Sequence, residues 1–283
     1  ELTAQHTYEV DDFSFITTVG GQFFRTNDHQ ILYSGSNIRD GAQTISDAAV
    51  KDSDEYLAQV LNYGVYVQEN LGYKDKLFLD LGIRGDRNPS FGDNIGTQYY
   101  PKAGVSYMLS SEPWYSSEFV NSLRLRGSFG RAGNLPPAFA NEKTVQFDGY
   151  LGDQAAYLGQ PGNANLKPEK TTTFEGGVDL ALLNNRIKFS AGYYRSLTSD
   201  ALFYVPSAPS SGYSVSQLYN IGEIENYGLE LNTTFVPIQT NDISLSINAS
   251  FNTLHNEVID SGGAPAFNIN GFSSRTLQTV VQE

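Results

Sequence analysis

The sequence predicts an all-β chain: an antiparallel transmembrane β-barrel segment with long external loops and short periplasmic turns. Three observations lead there. Apolar and polar residues alternate with period two, the alternating runs are long, and long connections take turns with short ones. In chain order, weaker alternation covers residues 12–24 and 60–73. Leu77, Leu79, Leu81 and Ile83 then interleave with Lys76, Phe78, Asp80, Gly82 and Arg84. After a weaker run at 100–109, Leu123, Leu125, Gly127 and Phe129 face away from Arg124, Arg126 and Ser128. Residues 172–182 lead to Ile187, Phe189, Ala191 and Tyr193, set against Arg186, Lys188, Ser190 and Gly192. Tyr227, Leu229, Leu231 and Phe235 oppose Gly228, Glu230, Asn232 and Thr234. The clearest run is Ile243, Leu245, Ile247, Ala249 and Phe251 against Ser244, Ser246, Asn248, Ser250 and Asn252. Period two with unlike sides is a strand between two environments. The count is about nine strands, most of roughly 9–12 residues, where five or six is usual.

The connections carry equal information. Tyr73-Lys74-Asp75, Leu183-Asn184-Asn185 and the 238–241 segment are tight turns rich in Asn and Asp. Between them run connections of about 35 residues after Phe24, 13 after Arg87, 38 after Ala132 and 24 after Leu197. The 110–122 link with Trp114 is intermediate, and a tail follows Asn256. Loops of this length are uncommon in compact soluble domains and routine on one side of membrane barrels.

Composition narrows the class. The 283 residues are 40% hydrophobic, yet the longest apolar run is the five residues 201–205, far below the ~20 of a spanning helix. A net charge of −13 argues against nucleic acid, and the lack of Cys removes thiol chemistry and Cys-based zinc sites. The chain opens at Glu1 without a signal-like stretch, which reads as a processed or truncated piece. The polar parity holds Lys76, Asp80, Arg84, Arg124, Arg126, Glu175, Asp179, Arg186, Lys188 and Glu230, a mixture of signs expected of a wet lumen. Tyr63, Tyr73, Tyr107, Phe174, Tyr193, Tyr227 and Phe235 sit toward strand ends on the apolar parity, where interfacial girdles form. The alternative at this point is a soluble or surface β-sandwich that binds glycans, with the apolar parity as its core.

Three stretches carry a family resemblance. Leu123-Arg-Leu-Arg-Gly-Ser-Phe-Gly-Arg-Ala-Gly-Asn134, Asn163-Ala-Asn-Leu-Lys-Pro-Glu-Lys-Thr171 and Asn220-Ile-Gly-Glu-Ile-Glu-Asn-Tyr-Gly-Leu-Glu230 occur in this order. They resemble elements of the TonB-dependent outer-membrane receptors, and most closely the SusC/RagA-like branch. The likeness runs from about residue 60 to 256, while the first 55 residues match in general character only. It implies a 22-stranded barrel around an N-terminal plug, in the outer membrane of a Gram-negative bacterium, importing a bulky nutrient with energy passed through TonB. Residues 1–283 then form a partial barrel domain, expected to lack the plug and the C-terminal strands. The partners implied are outer-membrane lipid, the plug of the same full-length chain, the TonB complex through that plug, and a SusD-like surface lipoprotein. Oligosaccharide or peptide is favoured as cargo over a metal chelate.

No catalytic, metal or cofactor pattern appears. His6, His29 and His255 have no ligand spacing, and the acidic residues 52–55 lack the order and the glycine of a Ca²⁺ loop. A barrel enzyme would need a Ser/His or Asp/His pairing at strand ends, and none is legible. Candidate ligand contacts are the loop aromatics Phe147, Tyr150, Tyr157, Tyr204, Tyr213 and Tyr219, beside Asn, Gln and Asp that suit polar cargo. The competing role for these rings is to pack the loops together over the barrel mouth.

Overall fold

Strands form wherever period two separates two environments, and they run further than the sequence predicts. The computed structural model describes residues 1–262 apart from Gly152, Pro206 and Ser214, and the backbone of 267–269 and 279–281. The side chains of Asp148 and Pro209 are also outside the described set. In order come β1 (Leu2–Val10), β2 (Phe13–Ile38), β3 (Ala48–Tyr73), β4 (Leu77–Arg87), β5 (Gln98–Met108) and β6 (Val120–Asn134). A hairpin of β7 (Val145–Tyr150) and β8 (Asp153–Leu158) precedes β9 (Glu169–Leu182) and β10 (Ile187–Ser199). A second hairpin, β11 (Leu202–Val205) and β12 (Gln217–Asn220), precedes β13 (Glu223–Gln239), β14 (Ser244–Asn252) and β15 (His255–Asp260). Short β16 (Phe267–Ile269) and β17 (Thr279–Val281) pair with each other.

One antiparallel sheet of eleven strands holds the wall, in the order β1-β2-β3-β4-β5-β6-β9-β10-β13-β14, with β15 also on β13. β14 takes the 230–239 half of β13 and β15 the 223–227 half, so the eleven strands stand ten abreast. The sheet does not close on itself: β1 and β14 are its edges among the described residues. Asp11, Lys74, Asp75, Leu183, Asn184 and Asn185 have φ between 50° and 63°, the left-handed geometry that two-residue hairpin turns need. Pro237 falls where β13 and β14 slip register between Phe235 and Ile238, a position that asks for no ladder donor.

Register sorts the side chains onto two faces. Gln68 and Gly82, Asn70 and Asp80, Arg124 and Asp179, and Ser190 and Asn232 are direct cross-strand partners on one face. Val67 and Ile83, Leu125 and Val178, and Ala191 and Leu231 share the other. The apolar face is the exposed one: Val65 is 68% accessible and Leu81 53%. A sandwich would bury that parity beneath a second sheet, so the soluble alternative is left without its core. Two of the aromatics expected at strand ends have ring neighbours on the apolar parity: Tyr73 meets Phe13 at 4.6 Å near the short turns, and Phe174 meets Phe129 at 5.1 Å, both tilted.

Two expectations of length need correction. The ~35-residue connection after Phe24 is instead a continuation of β2 and β3, paired from Phe13 and Tyr73 up to Ile38 and Ala48. Above the wall both faces of this ribbon meet the same surroundings, so Asn27, Asp28, His29 and Gln30 follow one another and no alternation marks the strand. The tail after Asn256 likewise begins inside β15.

Leu81→Arg places a cation on the apolar face near mid-wall, and the expected cost is about 2–4 kcal/mol if that level is the bilayer midplane. Asp80→Asn, one residue away on the polar face, is expected to assemble normally. Urea titration of the folded, heat-modifiable band in the full receptor measures both.

Candidate functional site

The polar face is a continuous ladder of charge pairs. Arg124 donates to Asp179 at 2.9 and 2.7 Å, Ser190 adds a third bond at 2.7 Å, and Arg126 approaches the same carboxylate at 3.5 Å. Lys188 lines a recess with Arg124, Asp179 and Asn232. Asp80 accepts from Asn70 at 2.8 Å and Gln68 at 3.1 Å and pairs with Lys102 at 3.2 Å. Arg84 grips Asp86 at 2.8 Å, Lys76 meets Glu112 at 3.5 Å, and Glu175 accepts from Ser128 at 3.4 Å. Arg186 stands apart: it lies exposed in the turn before β10 and donates to the Pro237 carbonyl. A second recess on this face, about 380 Å³, is lined by Ser14, Asn70, Asp80, Ser106, Arg126 and Glu175 among others.

Above the long-loop rim the chain builds a second layer, and this cap is where side chains are most deeply buried. Leu166 is 0% exposed and packs with Ala140, Leu218 and Leu202. Leu166, Gln217 and Pro168 are the largest fully buried side chains among the described residues. An open one-layer wall has no interior, so apolar burial collects where three loops can be pressed together.

Polar side chains hold those loops. The Asn220 carbonyl oxygen accepts the Lys167 amide at 2.7 Å, while its amide donates to the Lys167 carbonyl at 2.7 Å and the Asp200 carbonyl at 3.0 Å. One side chain thereby imitates a strand partner for Lys167. Glu169 accepts from Asn134 at 2.7 Å and from the Leu202 amide at 3.2 Å. Buried Gln217 accepts the Gly162 amide at 3.1 Å, and Asn163 turns the chain by accepting the Asn165 amide at 3.0 Å. The 88–97 loop joins through Gly92 and Asn94, whose amides donate to Leu166 and Ala164 at 2.8 and 3.1 Å. Asn134, residues 163–169 and Asn220 belong to the three family-like stretches, which therefore meet in one clamp. Their clamp role had no signal in the sequence beyond their place in those stretches.

The candidate ligand aromatics are outside this core. Phe147 and Tyr150 lie on β7 and Tyr157 on β8, with exposures of 64, 67 and 44%. The β7–β8 register sets Tyr150 and Tyr157 on one face and Phe147 on the other. Tyr204 on β11 and Tyr219 on β12 are exposed, and Tyr213 is half-buried in the connection between them. The two hairpins approach where Gly212 faces Leu158.

A long-stranded open wall, apolar and exposed outside and ion-paired on the other face, with a built cap on one rim, defines an outer-membrane β-barrel receptor. The family model described as TonB dependent receptor-like, β-barrel, matches residues 2–277, and the chain belongs to that family. It is a family of receptors and transporters rather than enzymes, resident in the outer membrane of Gram-negative bacteria. TonB-dependent receptor P26 of Formosa agariphila is 27% identical over 277 residues, covering 93% of this chain and 28% of the relative. TonB-dependent receptor SusC of Bacteroides thetaiotaomicron is 25% identical, covering 88% and 25%. Among solved structures, the RagAB peptide transporter superposes with a TM-score of 0.82 at 21% identity, covering 94% of this chain and 31% of that one. The outer membrane transporter YddB from Escherichia coli gives 0.61 at 10% identity, covering 90% and 33%. The chain thus spans roughly a quarter to a third of the proteins it matches.

Asn220→Ala removes three bonds at once and strands the Lys167 backbone, an expected loss of about 1–3 kcal/mol confined to the cap. Leu166→Ala is expected to cost about 2–5 kcal/mol there. Hydrogen exchange across residues 159–169 and 216–222 should rise in both variants while the wall amides stay protected.

Proposed function

We propose that this chain supplies part of the barrel wall and much of the external cap of a TonB-dependent importer for a bulky nutrient, an oligosaccharide or peptide in preference to a metal chelate. Residues 1–283 act as a partial barrel domain, with the remaining strands and the plug provided by the rest of a full-length receptor. Lipid leaves no strand edge unpaired, so the open edges of β1 and β14 are where that wall continues. The polar ladder, from Lys76, Asp80 and Arg84 across to Asp179 and Lys188, faces the plug. TonB acts through the plug, and a SusD-like surface lipoprotein covers the cap.

The observation that carries the cargo assignment is the division of labour in the cap. Leu166, Leu218 and the Asn and Gln clamps do the packing, so Phe147, Tyr150, Tyr157, Tyr204 and Tyr219 stand exposed on a built support. Rigid rings on a fixed hairpin give large contact area at little entropic cost. Tyr150 and Tyr157 share a face that sugar rings or peptide side chains can stack on. The names of the relatives point the same way, one being SusC and another a peptide transporter.

The double variant Tyr150→Ala/Tyr157→Ala in the full receptor tests this. Two exposed anchor rings together are expected to weaken cargo binding by about tenfold to a hundredfold, with uptake falling in parallel and barrel assembly unchanged. Equal affinity and equal uptake would remove the rings from cargo recognition.

A further inference from the structure

Four strands that run from the short turns to the long-loop rim close the apolar parity of the wall with an arginine. Arg25 does so on β2, Arg87 on β4, Arg131 on β6 and Arg195 on β10, and all four are exposed. Two places below each on the same parity stand Phe23, Gly85, Phe129 and Tyr193 in turn. Tyr63 is the direct partner of Arg87, and Phe174 and Tyr227 are the direct partners of Arg195. Two residues along a strand raise a side chain about 5 Å, and one strand across a row raises it about 3 Å, for a tilt of about 40°. The rows climb from β3 toward β10, the sense that keeps the short turns level. Counted through the row Glu69, Leu81, Ala103, Phe129, Phe174 and Arg195, the four arginines stand within about 4 Å of one height, beside Tyr63. At the short-turn edge the same parity holds Phe13, Tyr73, Leu77, Tyr107, Ile187 and Phe235, with no cation among them.

The bonding of these arginines differs from that of the cations on the polar face. There Lys76, Arg84, Lys102, Arg124 and Arg126 each meet a carboxylate. On the rim, Arg25 donates to Gln59 at 2.9 Å and Asn27 at 3.3 Å, and Arg131 to the Thr172 hydroxyl at 3.2 Å. Arg87 makes no ion pair among the described residues, and only Arg195 is neutralised, by Glu225. In a chain with 31 acids against 18 Lys and Arg, three uncompensated guanidinium groups at one height are a surplus that a ligand can use. Neutral amide and hydroxyl partners hold two of them in place and leave their charge intact. We propose that Arg25, Arg87 and Arg131 bind the phosphate groups of the glycolipid that forms the outer leaflet. The planar fork of a guanidinium matches phosphate oxygens in pairs, and long loops mark this rim as the external one. Phe23, Tyr63 and Phe129 then lie at the boundary between sugar and acyl chain, where aromatic rings favour the interface. The assignment rests on the apolar face of the proposed barrel being the lipid-facing one.

The test uses the full receptor in neutral detergent, with diphosphoryl lipid A as the probe and native mass spectrometry as the readout. The variant Arg25→Gln/Arg87→Gln/Arg131→Gln is expected to bind the lipid about a hundredfold more weakly than the parent, at about fivefold for each guanidinium. Arg87→Gln alone carries the fivefold step if the triple variant fails the heat-modifiability check of folding. The same lipid stripped of its phosphates should bind parent and triple variant equally weakly. Arg39→Gln, exposed beyond the end of β2, should bind lipid A as the parent does. Equal binding by folded parent and triple variant, or equal binding of phosphorylated and stripped lipid, overturns the proposal and leaves the importer reading intact. Inorganic phosphate binding as tightly as lipid A marks a free-anion site and overturns the lipid assignment. A parent receptor that folds without membrane or detergent overturns the barrel reading and this contact with it.

Discussion

The interaction on which everything else depends is the backbone hydrogen bond in a solvent that cannot replace it. Hydrocarbon offers nothing to a free N–H or C=O, so a chain crossing it by strands must pair each strand with a neighbour on both sides. That requirement fixes the antiparallel ladder from β1 to β14, and the ladder then fixes the side chains. Once Asn70 stands opposite Asp80 and Arg124 opposite Asp179, one face is committed to ions and the other to lipid. A slip of one residue would exchange the faces throughout the wall. Register here is therefore held by two solvents at once, each rejecting the other's residues.

The wall was legible because its two sides meet unlike media. Leu77, Leu79, Leu81 and Ile83 against Asp80, Gly82 and Arg84 reads as strand at sight. The upper ribbon of β2 and β3 was illegible for the matching reason, since water on both sides selects no alternation and residues 27–30 are all polar. β1 escaped notice because His6 breaks the apolar parity of Leu2, Ala4, Tyr8 and Val10.

The cap was legible only as a resemblance. Its contacts join residues more than fifty positions apart, as Asn220 does with Lys167 and Gln217 with Gly162, and no periodicity announces such pairs. What the sequence showed was Asn134, Asn163, Glu169 and Asn220 inside family-like stretches, with no contact assigned to any of them. They are the fasteners of the compact cluster around Leu166. The exposed aromatics were identified from composition, and their separation from the packing core emerged only from burial.

The ribbon of β2 and β3 has a mechanical consequence. Each strand is 26 residues long, and only the lower part is flanked by β1 and β4. The fifteen residues 24–38 run about 50 Å along the ribbon at ~3.3 Å per residue, past the last residues paired to β1 and β4. Near its foot, Gln59 and Val60 line a small recess with Pro89, Ser90, Ala138 and Asn141, and Ala58 beside them is 3% exposed. A stiff arm with its tip far out and its pivot against the cap is a lever. The tip near residues 39–47 therefore stands far from the loops that hold Leu166 and is joined to them through the foot of the ribbon.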